Sequence, residues 1–205
     1  RETIFYQIDR EYLLVCTPYE SFDPILRFFN EAAIDPTVDE IYTTLYRIAG
    51  DSHIAQALAT AAKNGKRVNV FVELKARFDE ANNIHWARLM KEQGVKITYS
   101  IPNLKVHAKI ALVRRKEGRE SALLGTGNLN EKTAKVYTDY FLMTSNKLLT
   151  NELDMLFEFL PARRKPHHPN ELSFNHLLIA QFNLKHTFLS LIDKTIQAAK
   201  DGDSA

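Results

Sequence analysis

The sequence is poor in cysteine and in long apolar runs. Its 205 residues include one cysteine, Cys16. A disulfide framework within the chain is therefore excluded, and we expect a reducing, cytoplasmic setting in which Cys16 is a buried structural thiol. No apolar run approaches the roughly 20 residues that a membrane-spanning helix needs. The chain also lacks an initiator Met and a signal-peptide pattern, so we expect a fragment of a longer protein.

An excess of charge of one sign is missing as well. The 27 Lys and Arg residues and 25 Asp and Glu residues leave a formal net charge of +2. Such a balance gives no argument for binding to a membrane, and we expect no nucleic-acid partner. Apolar residues make up 45% of the chain and charged residues 25%, which is typical of a soluble globular fold. Any affinity for anions must come from the local placement of basic residues.

Alternating strand and helix patterns predict an α/β fold. Runs rich in β-branched and aromatic residues at 40–48, 68–74 and 95–99 predict buried strands. Helical spacing of apolar residues between them predicts two helices that end at Gly65 and Gly94. Units of this kind predict a mixed, mostly parallel sheet flanked by helices.

The flanking segments complete the predicted organisation. An early strand at 12–16 and a helix at 22–33 are followed, after residue 100, by a hairpin of strands at 105–114 and 121–126, a strand at 137–144 and a helix at 148–160. The proline-rich, basic stretch at 161–169 predicts a linker. We therefore expect a catalytic domain over residues 1–160, and a linker with the incomplete start of a second domain over 161–205.

A histidine between two lysines is the first candidate for chemistry. On a strand, side chains alternate between faces, so Lys105, His107 and Lys109 are expected to share one face opposite Val106 and Ala108. A neutral imidazole can attack phosphorus, and neighbouring ammonium groups favour the neutral ring and stabilise phosphate oxygens. A solvated face of an edge strand is the alternative interpretation of the same pattern.

Two arginines are expected to lie near this histidine. Arg47 lies at the end of one predicted strand and Arg77 just past the end of the next. Consecutive parallel strands end at the same edge of a sheet, where ligands bind in open α/β folds. Helices predicted to begin near Ser52 and Asp79 open at that edge and are expected to present free N–H groups to anions.

A glycine-rich turn supplies the third feature. Residues 125–128 read Gly-Thr-Gly-Asn, which lets backbone N–H groups approach a phosphate, and we expect Asn128 to belong to that phosphate loop. His-x-Lys followed by such a turn resembles the phospholipase D superfamily. That superfamily carries an Asp five residues after the Lys, and here the position is Arg114, which argues against diester hydrolysis of that type.

Further runs resemble polyphosphate kinases of the large bacterial, ATP-dependent type, which have phospholipase-D-like catalytic domains. The resemblance spans most of the chain in order. It rests on Leu-Tyr-Arg at 45–47, Val-Glu-Leu-Lys-Ala-Arg-Phe-Asp-Glu at 72–80, Val-His-Ala-Lys at 106–109, the run at 125–134 and Tyr-Thr-Asp-Tyr at 137–140.

The resemblance implies a role for each candidate. His107 is expected to be the phosphohistidine and Tyr137 to contact the nucleotide, while Arg47 and Arg77 match arginines that the family places at a magnesium site. A guanidinium cation cannot ligate Mg²⁺ directly, so we interpret both arginines as clamps on phosphate oxygens that the metal also touches. Lys109 is our own addition as a charge stabiliser.

The activity expected from the resemblance is reversible transfer of the ATP terminal phosphate to inorganic polyphosphate, with Mg²⁺ on the nucleotide. It also implies further domains of the same chain, a homo-oligomer and peripheral association with the inner membrane. Two alternatives stay open. One is a phospholipase-D-like phosphodiesterase or nuclease, and the other is a non-catalytic module that binds polyanions.

Overall fold

The computed structural model describes residues 2–73, 80–100 and 105–202. The chain divides into two compact units, Arg1–Arg163 and Arg164–Ala205. Within the described part of the first unit, the strands are β1 (Leu13–Thr17), β2 (Val38–Leu45), β3 (Arg67–Val72), β4 (Lys96–Tyr99), β5 (Lys109–Arg115), β6 (Arg119–Gly125) and β7 (Asp139–Thr144). Its helices are α1 (Ile4–Arg10), α2 (Asp23–Ile34), α3 (His53–Lys63), α4 (Glu80–Glu92) and α5 (Lys147–Phe159).

The strands form one mixed sheet in the order β1-β7-β6-β5-β2-β3-β4. The α/β class is confirmed, but the expectation of a mostly parallel sheet is wrong. In the described residues only the pairs β2–β3 and β3–β4 are parallel, and the other four pairs are antiparallel. Parallel pairing needs a long crossover, which α3 and α4 supply. The three-residue connection between β5 and β6 allows only an antiparallel hairpin.

The main core lies between the sheet and helices α1 to α3. Phe5, Phe28 and Phe29 are essentially inaccessible to solvent. The Phe28 ring packs against Phe5 in a tilted geometry and against Phe29 edge to face, with a centroid distance of 5.5 Å in both pairs. On the other face of the sheet, Tyr42 of β2 packs against Phe157 of α5 at a centroid distance of 5.6 Å. Helices on both faces therefore hold the sheet edges in fixed positions.

Helix α1 was not expected from the sequence. Thr3 caps it by accepting a hydrogen bond from the Tyr6 amide, and Ile4, Phe5 and Ile8 are buried. The buried Arg115 at the end of β5 donates to Asp9 Oδ2 over 2.9 Å and so ties α1 to the sheet.

Cys16 also departs from expectation. It is half-buried, on the face of β1 opposite the buried Val15, so the prediction of a buried thiol is wrong. The β1 strand lies at the end of the sheet, and Leu14 on the same face as Cys16 is 48% exposed.

The second unit is small and carries helix α6 (Leu184–Lys200). Before the helix, the buried rings of Phe174 and Phe182 meet at 5.2 Å, and Asn183 Nδ2 donates to the carbonyl oxygens of Phe174 and Leu177. No residue of α6 itself is buried in the structure described. Nowhere in the described residues does a helix combine the length and apolarity that crossing a bilayer demands.

Candidate functional site

The candidate residues that the structure describes gather at one edge of the sheet. Strands β2, β3, β4 and β6 end at this edge, and β5 and β7 begin there, because Leu45 pairs with Val72, Val72 with Tyr99, and Lys109 with Gly125. Arg47 follows β2, His107 precedes β5, Asn128 follows β6 and Tyr137 precedes β7. Arg77 and the predicted cap Asp79 lie outside the described residues.

Strand β5 begins at Lys109, so the prediction of a strand from residue 105 is wrong. Residues 105–108 are irregular, Ala108 is exposed and Lys109 is only 5% exposed. Lys105, His107 and Lys109 therefore do not share one solvated face. The hydroxyl of Thr44 explains where the strand starts, since it donates to the Ala108 carbonyl over 2.6 Å and accepts from the Ile110 amide at 3.2 Å.

His107 and Lys109 are nevertheless in direct contact. Lys109 Nζ lies 2.8 Å from His107 Nδ1 and 3.0 Å from Nε2, and it donates to the His107 carbonyl oxygen over 2.6 Å. The Tyr46 ring meets the imidazole edge to face at a centroid distance of 4.8 Å, with Lys109 Nζ 5.4 Å from the Tyr46 centroid. An exposed imidazole is thus held between an aromatic ring and a buried ammonium group.

The electrostatics of this pair favour their deprotonated forms. The pKa of His107 is lowered from its ordinary value by partial burial and by the positive charges of Lys109, Lys105 and Arg47. Burial also lowers the pKa of Lys109 to about 8; Arg47 acts in the same direction, while Asp139 opposes the shift. The neutral form of the His107 imidazole is therefore favoured at physiological pH, and Arg47 lies close enough to act on both groups.

The loop after β6 is shaped by Asp139. Thr126 Oγ1 donates to Asp139 Oδ1 over 2.8 Å and accepts from the Tyr140 amide at 3.0 Å. A Cβ on Gly127 would lie 2.3 Å from Asp139 Oδ2, and one on Gly125 would lie 2.6 Å from the Phe141 ring. The two glycines are therefore required by close packing on β7.

Asn128 and Tyr137 lie on either side of this packed region. Asn128 Oδ1 is buried, and no residue that the structure describes donates a hydrogen bond to it. The Tyr137 ring is 62% exposed, while its carbonyl oxygen accepts a hydrogen bond from Thr17 Oγ1 at 3.4 Å. An exposed phenol ring at the edge of the site is available for stacking against a base.

The beginning of α3 does not present free N–H groups, so that expectation is wrong. Ser52 Oγ accepts from the Ala55 amide at 3.2 Å. Glu131 Oε1 accepts from the amides of His53 at 2.8 Å and Ile54 at 3.4 Å. A carboxylate from the loop after β6 thus occupies the positive end of this helix dipole.

The described side chains near His107 suit phosphate oxygens better than they suit a metal. Arg47 and Lys109 have donors only, and a guanidinium or ammonium group cannot enter the first coordination shell of Mg²⁺. Over residues 2–73, 80–100 and 105–202 no cluster of three His, Cys, Asp or Glu side chains has metal-binding geometry.

Replacing Gly127 with Ala tests the packing of this loop. The new Cβ meets the Cγ and Cβ atoms of Asp139 at 2.4 and 2.7 Å, so the backbone must move. We expect a loss of about 1–3 kcal/mol in the free energy of unfolding, measured by urea denaturation. Gly50→Ala is the matched control, because its Cβ would meet only Asn82 Oδ1 at 3.9 Å. Equal stability of the two variants would contradict the packing role.

Arg114 lies near the opposite end of β5 from His107. Its guanidinium pairs with Asp154 of α5, with Glu40 at 3.4 Å and with Glu120 at 3.7 Å, and it lies over the Tyr42 ring at 5.0 Å. Arg114 is five positions along the strand from Lys109, and at about 3.3 Å per residue their Cα atoms are about 17 Å apart. Arg114 therefore attaches α5 to the sheet at a position remote from His107.

Sequence reasoning missed several residues of the site. Tyr46 contacts the imidazole, and Thr44 and Glu73 bind the backbone on either side of it. The signal for Glu73 was an acidic residue at the end of an apolar strand. No comparable signal marks Thr44, since threonine is common in strands.

Comparison with solved structures defines the fold class. The phospholipase D family member Nuc from Salmonella typhimurium superposes with a TM-score of 0.57 at 16% identity, covering 72% of this chain and 91% of that one. NucT from Helicobacter pylori superposes equally well, at 15% identity. The fold is phospholipase-D-like.

The family follows from closer similarity. The family model described as polyphosphate kinase C-terminal domain 1 matches residues 3–166, and the chain belongs to that family. Polyphosphate kinase from Klebsiella pneumoniae is 44% identical over 94% of this chain, and that from Escherichia coli K12 is 42% identical over 93%. The crystal structure of polyphosphate kinase from Porphyromonas gingivalis superposes with a TM-score of 0.85 at 41% identity, over 98% of this chain and 33% of that one. The chain spans only 28% of the Klebsiella protein and 27% of the Escherichia coli protein.

Proposed function

We propose that this chain carries the phosphate-accepting site of a polyphosphate kinase. His107 takes the terminal phosphate of ATP and passes it reversibly to inorganic polyphosphate. The observation that carries the proposal is the contact between an exposed imidazole of lowered pKa and the ammonium group of Lys109. The names of the relatives support the same activity.

The chemistry balances as two substitutions at phosphorus. A neutral ring nitrogen of His107 attacks the γ-phosphorus, an N–P bond forms, and the bond to the β,γ-bridging oxygen breaks to release ADP. A terminal oxygen of polyphosphate then attacks the same phosphorus, and the N–P bond breaks to regenerate the imidazole. Running the steps backward forms ATP.

Each described residue has a part in these steps. Lys109 holds the His107 backbone by its hydrogen bond to the carbonyl and lies beside the reacting nitrogens, where it offsets negative charge on the phosphoryl oxygens. Arg47 adds a second cation that can grip phosphate oxygens through two N–H groups. The exposed Tyr137 ring stacks on the adenine, and Asn128 contributes to the phosphate loop.

A complete enzyme that contains this domain provides the direct test. Incubation with terminally labelled ATP and Mg²⁺ should give acid-labile, base-stable label on the protein, with about one phosphate per active site. A polyanion-binding module would bind polyphosphate and never take up label, and that outcome would overturn the proposal. Missing domains supply part of the site, so the isolated chain is not the material for this test.

The pH dependence of kcat/KM for ATP should be bell-shaped. Activity requires neutral His107, whose pKa is lowered, so the rising limb lies below pH 6.5. Activity also requires charged Lys109, so the falling limb lies near its pKa of about 8. Lys109→Arg keeps its charge throughout and should remove the falling limb. A profile of Lys109→Arg that still fell near pH 8 would contradict this assignment.

The remaining partners and the setting follow from the same proposal. ATP and polyphosphate are the substrates, Mg²⁺ arrives on the nucleotide, and further domains of the protein complete the site. We propose a cytoplasmic homo-oligomer that associates peripherally with the inner membrane.

A further inference from the structure

The backbone around His107 is held by side chains of neighbouring strands. Residues 105–108 precede β5 and make no strand pairs. Thr44, in β2 and 3% exposed, donates from Oγ1 to the Ala108 carbonyl over 2.6 Å and accepts from the Ile110 amide at 3.2 Å. One hydroxyl therefore fixes the chain immediately after His107.

A buried carboxylate fixes the chain immediately before His107. Glu73 follows β3 and is 2% exposed; its Oε2 accepts from the Val106 amide at 3.3 Å, and its Oε1 from Ser100 Oγ at 2.7 Å. The Glu73 backbone is itself tied down, since its amide donates to the Leu45 carbonyl over 3.0 Å and its carbonyl accepts from Asn83 Nδ2 at 2.8 Å. Glu73 is thus a fixed acceptor on the core side of the loop.

We propose that Thr44 and Glu73 are positioning residues for the phosphoryl transfer, because they hold the peptide groups on either side of His107 and so direct its ring at the incoming phosphorus. The inference rests on the proposed function. Thr44 and Glu73 are buried, so we expect neither side chain to contact substrate. Their effect passes through Val106 and Ala108 to the imidazole, whose geometry must be held within a fraction of an ångström for attack.

The chain offers closely matched variants. Thr44→Val keeps the shape of the side chain and removes both hydrogen bonds, whereas Thr44→Ser keeps the hydroxyl. Glu73→Gln keeps the size and weakens one of the two bonds, since an amide NH₂ cannot accept. Thr150→Val is the control: Thr150 is 0% exposed in α5, and its hydroxyl has no hydrogen-bond partner in the part of the chain that the structure describes.

The first measurement is the rate of label uptake from terminally labelled ATP in the complete enzyme. Thr44→Val and Glu73→Gln should lower the saturating rate about 10- to 100-fold, with less than a twofold change in the KM for ATP. Thr44→Ser should restore the rate to within about threefold of wild type, and Thr150→Val should match wild type. Rates of Thr44→Val and Glu73→Gln equal to that of Thr150→Val would overturn the proposal.

The second measurement reports on the imidazole without phosphoryl transfer. Diethyl pyrocarbonate modifies neutral histidine, and the pH dependence of its reaction at His107 can be followed by peptide mass spectrometry. Among the described residues, the charged groups near the ring are Lys105, Lys109 and Arg47, with Asp139 near Lys109 and Glu73 at the Val106 amide. Release of the loop should move the pKa of His107 back toward 6.5 in Thr44→Val, which changes no charge, and leave it unchanged in Thr150→Val.

The two measurements separate the two hypotheses. A wild-type enzyme that took no label would overturn the proposed function, and the reaction of His107 with diethyl pyrocarbonate would still decide on positioning. A titration of His107 that was the same in wild type and Thr44→Val would overturn the positioning role, whatever the labelling result.

Discussion

Replacing His107 with Gln should abolish acid-labile labelling and lower net transfer from ATP to polyphosphate at least about a thousandfold, because the proposed nucleophile is removed. Glutamine keeps a polar side chain of similar size at a position that is exposed, so the fold should survive. The measurement is label per protein after incubation with terminally labelled ATP and Mg²⁺ in the complete enzyme.

The control for this variant is His85→Gln. His85 is an exposed histidine on α4, and it should label as wild type does. Equal label on His107→Gln and wild type would show that another residue accepts the phosphate, and it would contradict the proposed role of His107.

Replacing Lys109 with Met should lower the rate of labelling about 100- to 1,000-fold, the usual cost of removing one preorganised donor from a developing charge. The ammonium group lies within 3.0 Å of both ring nitrogens of His107, so the substitution removes a positive charge directly beside the reacting atoms. The KM for ATP should change much less than the rate. Single-turnover labelling at saturating ATP measures the effect.

The same variant should also shift the titration of His107. Lys109 is one of the cations that lower the pKa of His107, so its removal should raise that pKa and move the rising limb of the pH profile upward. Lys135→Met, an exposed lysine before β7, is the matched control and should leave both rate and profile unchanged. An unchanged rising limb in Lys109→Met would show that the two side chains are not coupled.

The convergence at the sheet edge was predictable in outline. The sequence predicted a strand at 40–48 with Arg47 near its end and a strand that carries His107, since apolar, β-branched runs are typical of strands. The pairing of β5 with β2 could not be predicted, because antiparallel pairing between segments distant in sequence has no signature in the local sequence pattern. The expectation of a mostly parallel sheet failed for that reason.

The start of β5 shows a second limit of the sequence. Alternation predicted that Lys105, His107 and Lys109 share one face of a strand, yet the strand begins only at Lys109, which is buried and reaches back to the His107 carbonyl. The difference comes from Thr44, whose hydroxyl takes hydrogen bonds that strand pairing would otherwise use. A contact that depends on a neighbour 64 residues away cannot be inferred from the spacing of a nonapeptide.

Arg114 shows how a departure from a motif can be interpreted. The sequence placed Arg where phospholipase D enzymes carry Asp, and the structure shows that this Arg binds Glu40, Glu120 and Asp154. The position lies about 17 Å along the strand from Lys109. Its identity therefore bears on how α5 is attached to the sheet, and the structure gives no support to using Arg114 as an argument against diester hydrolysis.

Glu131 connects the loop after β6 to helix α3, because its carboxylate accepts hydrogen bonds from the amides of His53 and Ile54. Whatever moves that loop must also release these two amide hydrogens to water. The rate at which these two amides exchange with deuterium therefore reports on loop opening. It can be measured without substrate, at positions away from the imidazole. Binding of a phosphate chain to the loop should lower the exchange rate of both amides, even without direct contact with the helix.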